Sequence, residues 1–471
     1  MLLDRGEHYR RCSRLREEEP SPQNEFFLQR LWFEEAYRNP LTTTTGESIQ
    51  IFAPGFWNHT SGPDFLRCSL RNGTGEVEVG AVEIHIRPPS WKQHGHDQDR
   101  AYDRVILHVV WDAGPRDFFP GTSQNRSIRQ VILTNQLKAP LAEIRGLFQS
   151  LPAERKAGAR LGLCRRELQK LPGTELISIL KEAGWHRFRE KSRRWAAREK
   201  LHGFSQALWL GLAEALGYAE NKTPFWQLAQ RLPIAELRKI KSPLHREALL
   251  FGLAGLLPGR ALHSPSTSGR EWLRSLWDEW WKLRVAMEDQ ALPRNAWSLR
   301  GIRPSNRPER RLAVLALAST HWSAFENAAR KGEEDDLAGL FQQWKHPYWS
   351  HHLTLNSTPR LRPVTLLGES RLQGFLFNVV WPLAWQRKPD EVEARLLAAR
   401  SPLPNKSSRL AAFRLLHDVL PAAALRPTLI QEGLIQIWQD YCQTDEQQCT
   451  RCTFSEFVAN WKKEGQDKIR L

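Results

Sequence analysis

Acidic residues are in short supply in this 471-residue chain: 52 Asp and Glu face 68 Lys and Arg, a net charge of +16 with histidines neutral. Long apolar runs are missing too. No stretch reaches the roughly 18 residues that a membrane-spanning helix needs, and the nearest, Ala248 to Leu257 and Gly374 to Trp385, are interrupted by Gly, Asn or Pro. The opening segment MLLDRGEHYRRCSRLREEEP lacks the apolar core of a secretory signal. No fixed period recurs along the chain, which excludes a solenoid. Cysteine is limited to six residues, and in a chain without an export signal these are expected as thiols or metal ligands rather than disulfides. The expected location is cytoplasmic.

What is present is globular in character. Hydrophobic residues make up 41% and charged residues 25%, which excludes disorder. At roughly 150 residues per domain the length suggests several domains. The positive charge attracts polyanions, so nucleic acid is the expected partner and a membrane is not. Tryptophan outnumbers tyrosine by 20 to six; its rings either stack on bases or fill a helical core.

The pattern changes near residue 150. Asn24 to Arg38 carries Phe27, Leu28, Leu31 and Trp32 at the spacing of an amphipathic helix. Short strand-like runs follow at Ser48 to Ala53, Phe65 to Leu70, Glu76 to Arg87, Val105 to Trp111 and Arg129 to Leu133. Asn72-Gly73 marks a hairpin between two of them. Helical spacing then dominates, in Leu176 to Lys200, Phe204 to Leu216, Ile234 to Ile240, Glu271 to Met287, Arg310 to Ala329 and Glu391 to Leu397. The expected organisation is a flexible tail over 1–20, an α/β domain over 21–150 and a mainly helical region over 151–471. Basic residues concentrate at Lys181 to Lys200 and Arg294 to Arg311. These are either solvated helix faces or a grip on phosphates, with Arg187, Lys191 and Arg303 as the expected contacts. The helical region is equally suited to docking a protein partner.

The chemistry concentrates in the first hairpin. Asp64 opens one strand, and Glu83 and His85 lie two apart on the next, so the last two share a face. Paired through the Asn72-Gly73 turn, the strands bring Asp64 to that face. Two carboxylates there suit a hard cation such as Mg²⁺ or Mn²⁺, which polarises a phosphoryl oxygen and acidifies a bound water, with His85 positioning or deprotonating that water. His94 and His96 follow, with Asp97, Asp99 and His108 close in sequence. With Glu83 and His85 they make either a zinc or manganese site or a loop over the hairpin, with His94 or His96 near the substrate phosphate or the metal. His108, within an apolar strand, reads as a hydrogen-bonded core histidine.

Pro63-Asp64 followed by Glu83-Ile84-His85, after a helix and within three strands, resembles the PD-(D/E)XK nuclease core. That resemblance implies a restriction-endonuclease-like mixed sheet with a flanking helix, a divalent cation held by Asp64 and Glu83, and an acidic residue on the first helix. Glu25 is the position that matches, with Glu34 second. His85 stands where the pattern has lysine and supplies less fixed positive charge. Across nearly its whole length the chain also resembles a bacterial family defined as a domain of unknown function. The matching segments are PGFWN at 54–58, GPDF at 62–65, VEIH at 82–85, WKQHGHDQDRAY at 91–102, VILHVV at 105–110, RFREK at 187–191 and RPSNRPERRLA at 303–313.

Cys442, Cys449 and Cys452 follow a Cys-x6-Cys-x2-Cys spacing whose tight pair suits thiolate metal sites. Cys164 is the expected fourth ligand, ahead of Cys12 and Cys68. Some nucleases of the PD-(D/E)XK type hold a [4Fe–4S] cluster with one upstream and three downstream cysteines; here Cys164 follows the nuclease-like motifs. Zn²⁺, [4Fe–4S] and reduced thiols are all open. The expected function is metal-dependent hydrolysis of DNA or RNA. The alternatives are a nucleic-acid-binding or scaffold protein with a degenerate nuclease fold, and a zinc hydrolase built on His85, His94 and His96.

Overall fold

Ser48–Ala53 alternates exposed and buried side chains residue by residue, the signature of a strand with one face on a core. It belongs to a seven-stranded mixed sheet in a computed structural model. The described residues are 6–13, 25–58, 62–73, 75–114, 118–148, 162–218, 220–257, 267–299, 302–355, 357–400, 406–416, 419–442, 449, 452–458 and 461. The strands are β1 (Leu41–Thr42), β2 (Ser48–Ala53), β3 (Phe56–Trp57), β4 (Phe65–Asn72), β5 (Val77–His85), β6 (Val105–Val110) and β7 (Arg129–Ile132). Their order is β1-β2-β4-β5-β6-β7, with β3 on β4. β1, β2, β4 and β5 pair antiparallel, whereas β6 runs parallel to β5 and β7 parallel to β6.

The expected turn joins β4 to β5, with Gly73 at φ 53°. A Cβ on Gly80 of β5 would stand 2.4 Å from Ile106 Cγ2 and 2.7 Å from the Arg104 carbonyl, so glycine lets β6 begin against β5. Every residue of β6 is buried, as expected of a parallel strand covered on both faces. The helix Glu25–Phe33 buries Phe27, Leu28, Leu31 and Trp32, and Trp32 Nε1 donates to the Pro54 carbonyl at 2.9 Å. It stops short of Arg38 because Glu35 takes a left-handed backbone, φ 51°.

Two compact units draw on separated stretches of chain. One, residues 20–148 and 197–368, contains the sheet and a helical part. There the expected helix Arg310 to Ala329 is two, Pro308–Thr320 and Trp322–Lys331. Within the basic RPSNRPERRLA segment the adjacent Arg310 and Arg311 turn inward. Arg310 is buried and donates to the carbonyls of Trp349, His352 (2.8 Å) and Thr365 (3.0 Å), while Arg311 donates to Leu366 O at 2.6 Å. Among the described residues of 345–368 there is neither helix nor strand, so these guanidinium groups satisfy carbonyls that no helix or ladder serves. Arg198 likewise bridges Glu34 and Glu214, at 3.0 Å to each.

The other unit comprises residues 1–19, 149–196 and 369–471. Within the span expected to be a flexible tail, Glu7–Ser13 is a helix. Tyr9 is wholly buried there and donates to Asp440 Oδ2 at 2.7 Å, and Gly6 N donates to Glu182 at 2.8 Å. Tyr9 shares one core with Leu176, Ile179, Leu180, Leu434, Trp438 and Phe457. A Cβ on Gly433 would lie 1.9 Å from the Leu180 carbonyl, which fixes how closely these two helices approach. The expected helices Leu176 to Lys200 and Phe204 to Leu216 are two helical stretches within Gly173–Leu216, divided at Gly203 with φ 75°; residues up to 196 belong to this unit and those from 197 to the other. No helix among the described residues is long and apolar enough to cross a membrane.

Removing the Arg310 side chain strands several buried carbonyls at once. Arg310→Ala is expected to destabilise the protein by about 2–3 kcal/mol, read as a lowered denaturation midpoint in urea.

Candidate metal and acid–histidine centre

The register Phe65↔Val82 places Asp64 beside Glu83 at the open end of the β4–β5 ladder. A bulge between Phe65 and Cys68, with Arg67 at φ 58°, re-aims the start of β4. The two acids then exchange main-chain bonds. Asp64 N–H donates to Glu83 Oε2 at 3.0 Å, and Ile84 N–H donates to Asp64 Oδ2 at 3.0 Å. Gln29, one turn beyond Glu25, donates to Asp64 Oδ1 at 2.6 Å. Burial pushes the Asp64 carboxyl well above the ordinary carboxylate range, and the Glu83 and Glu25 charges add to the rise. Burial also raises Glu83, despite the Asp64 N–H bond. Glu25, half-buried, is raised by burial against the pull of His94 and His96. Glu34 faces elsewhere: it is buried between Arg198 and Arg30.

Four histidines complete the cluster. Glu83 Oε1 lies 3.3 Å from His96 Nε2 and 3.6 Å from His85 Nε2. His85 Nε2 is 3.2 Å from His94 Nδ1, and His85 Nδ1 is 2.9 Å from His108 Nε2. His85, His94 and His96 each offer a nitrogen within 4.8 Å of the others. Tyr102 stacks on His96 at 3.8 Å between ring centroids, and buried Trp91 meets His96 edge-on. Burial, with the neighbouring His108, His96 and His94, drives His85 down to about 2, so it stays neutral. With Nδ1 engaged by His108 as well, His85 is equipped to be a ligand rather than a base or a stand-in for a lysine charge.

The structure therefore gathers Glu25, Asp64, Glu83, His85, His94 and His96. His108 is the buried, hydrogen-bonded histidine expected from its strand, yet it touches the site through His85. Gln29, Trp91, Tyr102 and Gln130 were not singled out in the sequence. Gln29 alone had a signal, standing four residues after Glu25 on the same helical face. Of the expected phosphate contacts, Arg303 is exposed before Pro304–Asn306. Arg187 and Lys191 belong to the other unit, where both bind Glu432 at 2.7 Å and Lys191 is buried.

That unit also gathers the cysteines. Cys442 lies in its core, with Cys164 and Cys452 packed against that core. Burial, with Cys452 and Cys449 beside it, pushes the Cys164 thiol up to about 12. Leu163 N–H donates to Cys449 Sγ at 3.4 Å, and Cys452 Sγ–H points at the Tyr441 carbonyl at 3.9 Å. A thiol raised in this way ionises when a cation takes the proton's place. Cys68 is buried in β4, and the Cys12 side chain lies outside the described residues.

No curated protein and no solved structure matches this chain. A family model described as "Protein of unknown function (DUF2851)" matches residues 25–401. That span contains the acid–histidine cluster and stops before Cys442.

Two buried carboxyls raised side by side oppose folding when no cation is bound. Asp64→Asn keeps an acceptor for Ile84 N–H, meets Gln29 once that amide turns its oxygen inward, and removes one charge. In metal-free protein it is expected to raise stability by on the order of 1 kcal/mol. The gain should be larger in alkaline than in acidic buffer, because only ionised carboxylates repel; thermal denaturation at both pH values checks it.

Proposed function

The chain belongs to the DUF2851 family of proteins of unknown function, and from its site we propose a metal-dependent, nuclease-like hydrolase of DNA or RNA phosphodiesters. The observation that carries this reading is the buried pair Asp64 and Glu83, cross-bonded through the main chain and bordered by Glu25 and the histidines. The restriction-endonuclease-like assignment rests on connectivity: a helix, an antiparallel β4–β5 hairpin bearing both acids, then a parallel strand reached through short helices. The net charge of +16 supports a polyanionic substrate. Exposed Lys92 and Arg100, on the segment that carries His94 and His96, offer phosphate contacts beside the acids.

Mg²⁺ or Mn²⁺ bound there would polarise the phosphoryl oxygen and lower the pKa of the attacking water. Glu83 presents Oε1 toward the histidines, while its Oε2 stays fixed on Asp64 N–H. Asp64 is held in orientation by Gln29 and Ile84. Glu25, half-buried and raised in pKa, is the group placed to take a proton from water. The neutrality of His85 favours a second reading, a nucleic-acid-binding scaffold in which the same site no longer turns over. In the other unit, Cys164, Cys442, Cys449 and Cys452 are proposed to hold Zn²⁺ or [4Fe–4S] as a structural group.

Labelled single- and double-stranded DNA and RNA, incubated with Mg²⁺ or Mn²⁺, test the first reading. Cleavage is expected, and Asp64→Asn or Glu83→Gln should lower it by about 10²–10⁴-fold. Binding without cleavage by wild type would leave the scaffold reading. For the cysteines, anaerobic purification is expected to yield either a brown protein with a visible charge-transfer band or a colourless protein containing zinc. Cys449→Ser should abolish whichever is found.

A further inference from the structure

Hydrogen-bond direction in the histidine cluster can be read outward from one residue. Gln130 is buried, and its amide oxygen, which can only accept, lies 3.1 Å from His108 Nδ1. His108 Nδ1 therefore carries the proton, and His108 Nε2 is bare. At 2.9 Å it accepts from His85 Nδ1–H. His85 Nε2 is then bare in turn, and it faces Glu83 Oε1 and His94 Nδ1 at 3.6 and 3.2 Å. On the far side of Glu83 Oε1 stands His96 Nε2, buried and without a hydrogen-bond partner although only 3.3 Å away. A carboxylate oxygen and imidazole nitrogens thus converge.

These separations have a chemical counterpart. A tetrahedral site with metal–nitrogen bonds of 2.0–2.1 Å has donor–donor edges of about 3.3 Å. Three of the six edges among Glu83, His85, His94 and His96 are of this size, Glu83–His96 at 3.3 Å, His85–His94 at 3.2 Å and Glu83–His85 at 3.6 Å, and the nitrogens of the three histidines all lie within 4.8 Å of one another. We propose that Glu83, His85, His94 and His96 form a binding site for a borderline dication of the Zn²⁺ or Mn²⁺ class, and that His108 and Gln130 position the His85 lone pair for it. Imidazole donors favour such ions over Mg²⁺, which prefers an all-oxygen shell. The outward bond from His85 to a second polar group is the usual support of a metal-ligating histidine. His94, the exposed member, leaves a path for the ion. Asp64 is outside this donor set, its oxygens engaged by Gln29 and Ile84. The inference rests on the hydrolase reading only in sharing Glu83 with it.

The full-length chain, stripped with chelator, is titrated with Zn²⁺, Mn²⁺ and Co²⁺ and its metal content measured. Wild type should take up one more equivalent than His94→Ala, and Asp64→Asn should keep that equivalent. The Co²⁺ difference spectrum between wild type and His94→Ala should show d–d bands without a thiolate charge-transfer band, which separates this site from the cysteines. Gln130→Leu should weaken affinity by about 10–100-fold and shift those bands, whereas a merely structural role would leave the spectrum unchanged. Equal uptake by wild type and His94→Ala overturns the proposal, as does an extra equivalent bound through sulfur. Metal binding without hydrolysis by any protein defeats the hydrolase reading alone. Mg²⁺-dependent hydrolysis that His94→Ala leaves intact, with no extra equivalent bound, defeats this inference alone.

Discussion

Two main-chain bonds between neighbouring acids organise the sheet unit's chemistry. Asp64 N–H is satisfied by Glu83, and Ile84 N–H by Asp64, so each carboxylate takes the place of a carbonyl in the ladder. The consequence is geometric before it is chemical. Both carboxyls are held where burial raises their proton affinity. A neutral pair of the same shape would fold with less penalty. A cation bound beside the pair would offset that cost.

Much of this was readable from residue order because strands impose a period of two. Glu83 and His85 had to share a face, and Asn72-Gly73 had to return the chain so that Asp64 met them. β2 occupies the segment expected of it, and β4, β5, β6 and β7 differ from expectation by a few residues at their ends. The two-residue strands β1 and β3 are too short to leave a pattern. Thiol chemistry pointed to Cys164 as partner of the three distal cysteines, and Cys164 packs against the core that contains Cys442. Gln130 and the His108 relay were not readable from residue order, because β7 reaches His85 only across β6, and no local spacing encodes a relay through two strand pairings.

The positive charge proved harder to interpret. Arginine runs suggest a surface for phosphate, yet Arg198, Arg310 and Arg311 are buried against carboxylates and carbonyls, and Lys191 against Glu432. Composition counts these charges without saying which face water. Tryptophan behaves alike. Trp32, Trp91, Trp209 and Trp297 are core residues whose indole N–H groups end on main-chain carbonyls, as large amphipathic rings do when buried. Arginine and tryptophan together act as donors in regions where regular secondary structure is thin.

The interleaving of the two units sets a timetable for the nascent chain. Residues 20–148 and 197–368 are all synthesised before the last segment of the other unit, 369–471, has emerged. Tyr9 waits for Asp440, 431 residues later. At 5–20 residues per second that delay is roughly 20–90 s. Throughout it, the apolar faces of Glu7–Ser13 and of the first turns of Gly173–Leu216 have no native cover from helix Thr428–Ile437. The segments of the sheet unit are therefore all available to one another before the cysteine-bearing unit has received its last one.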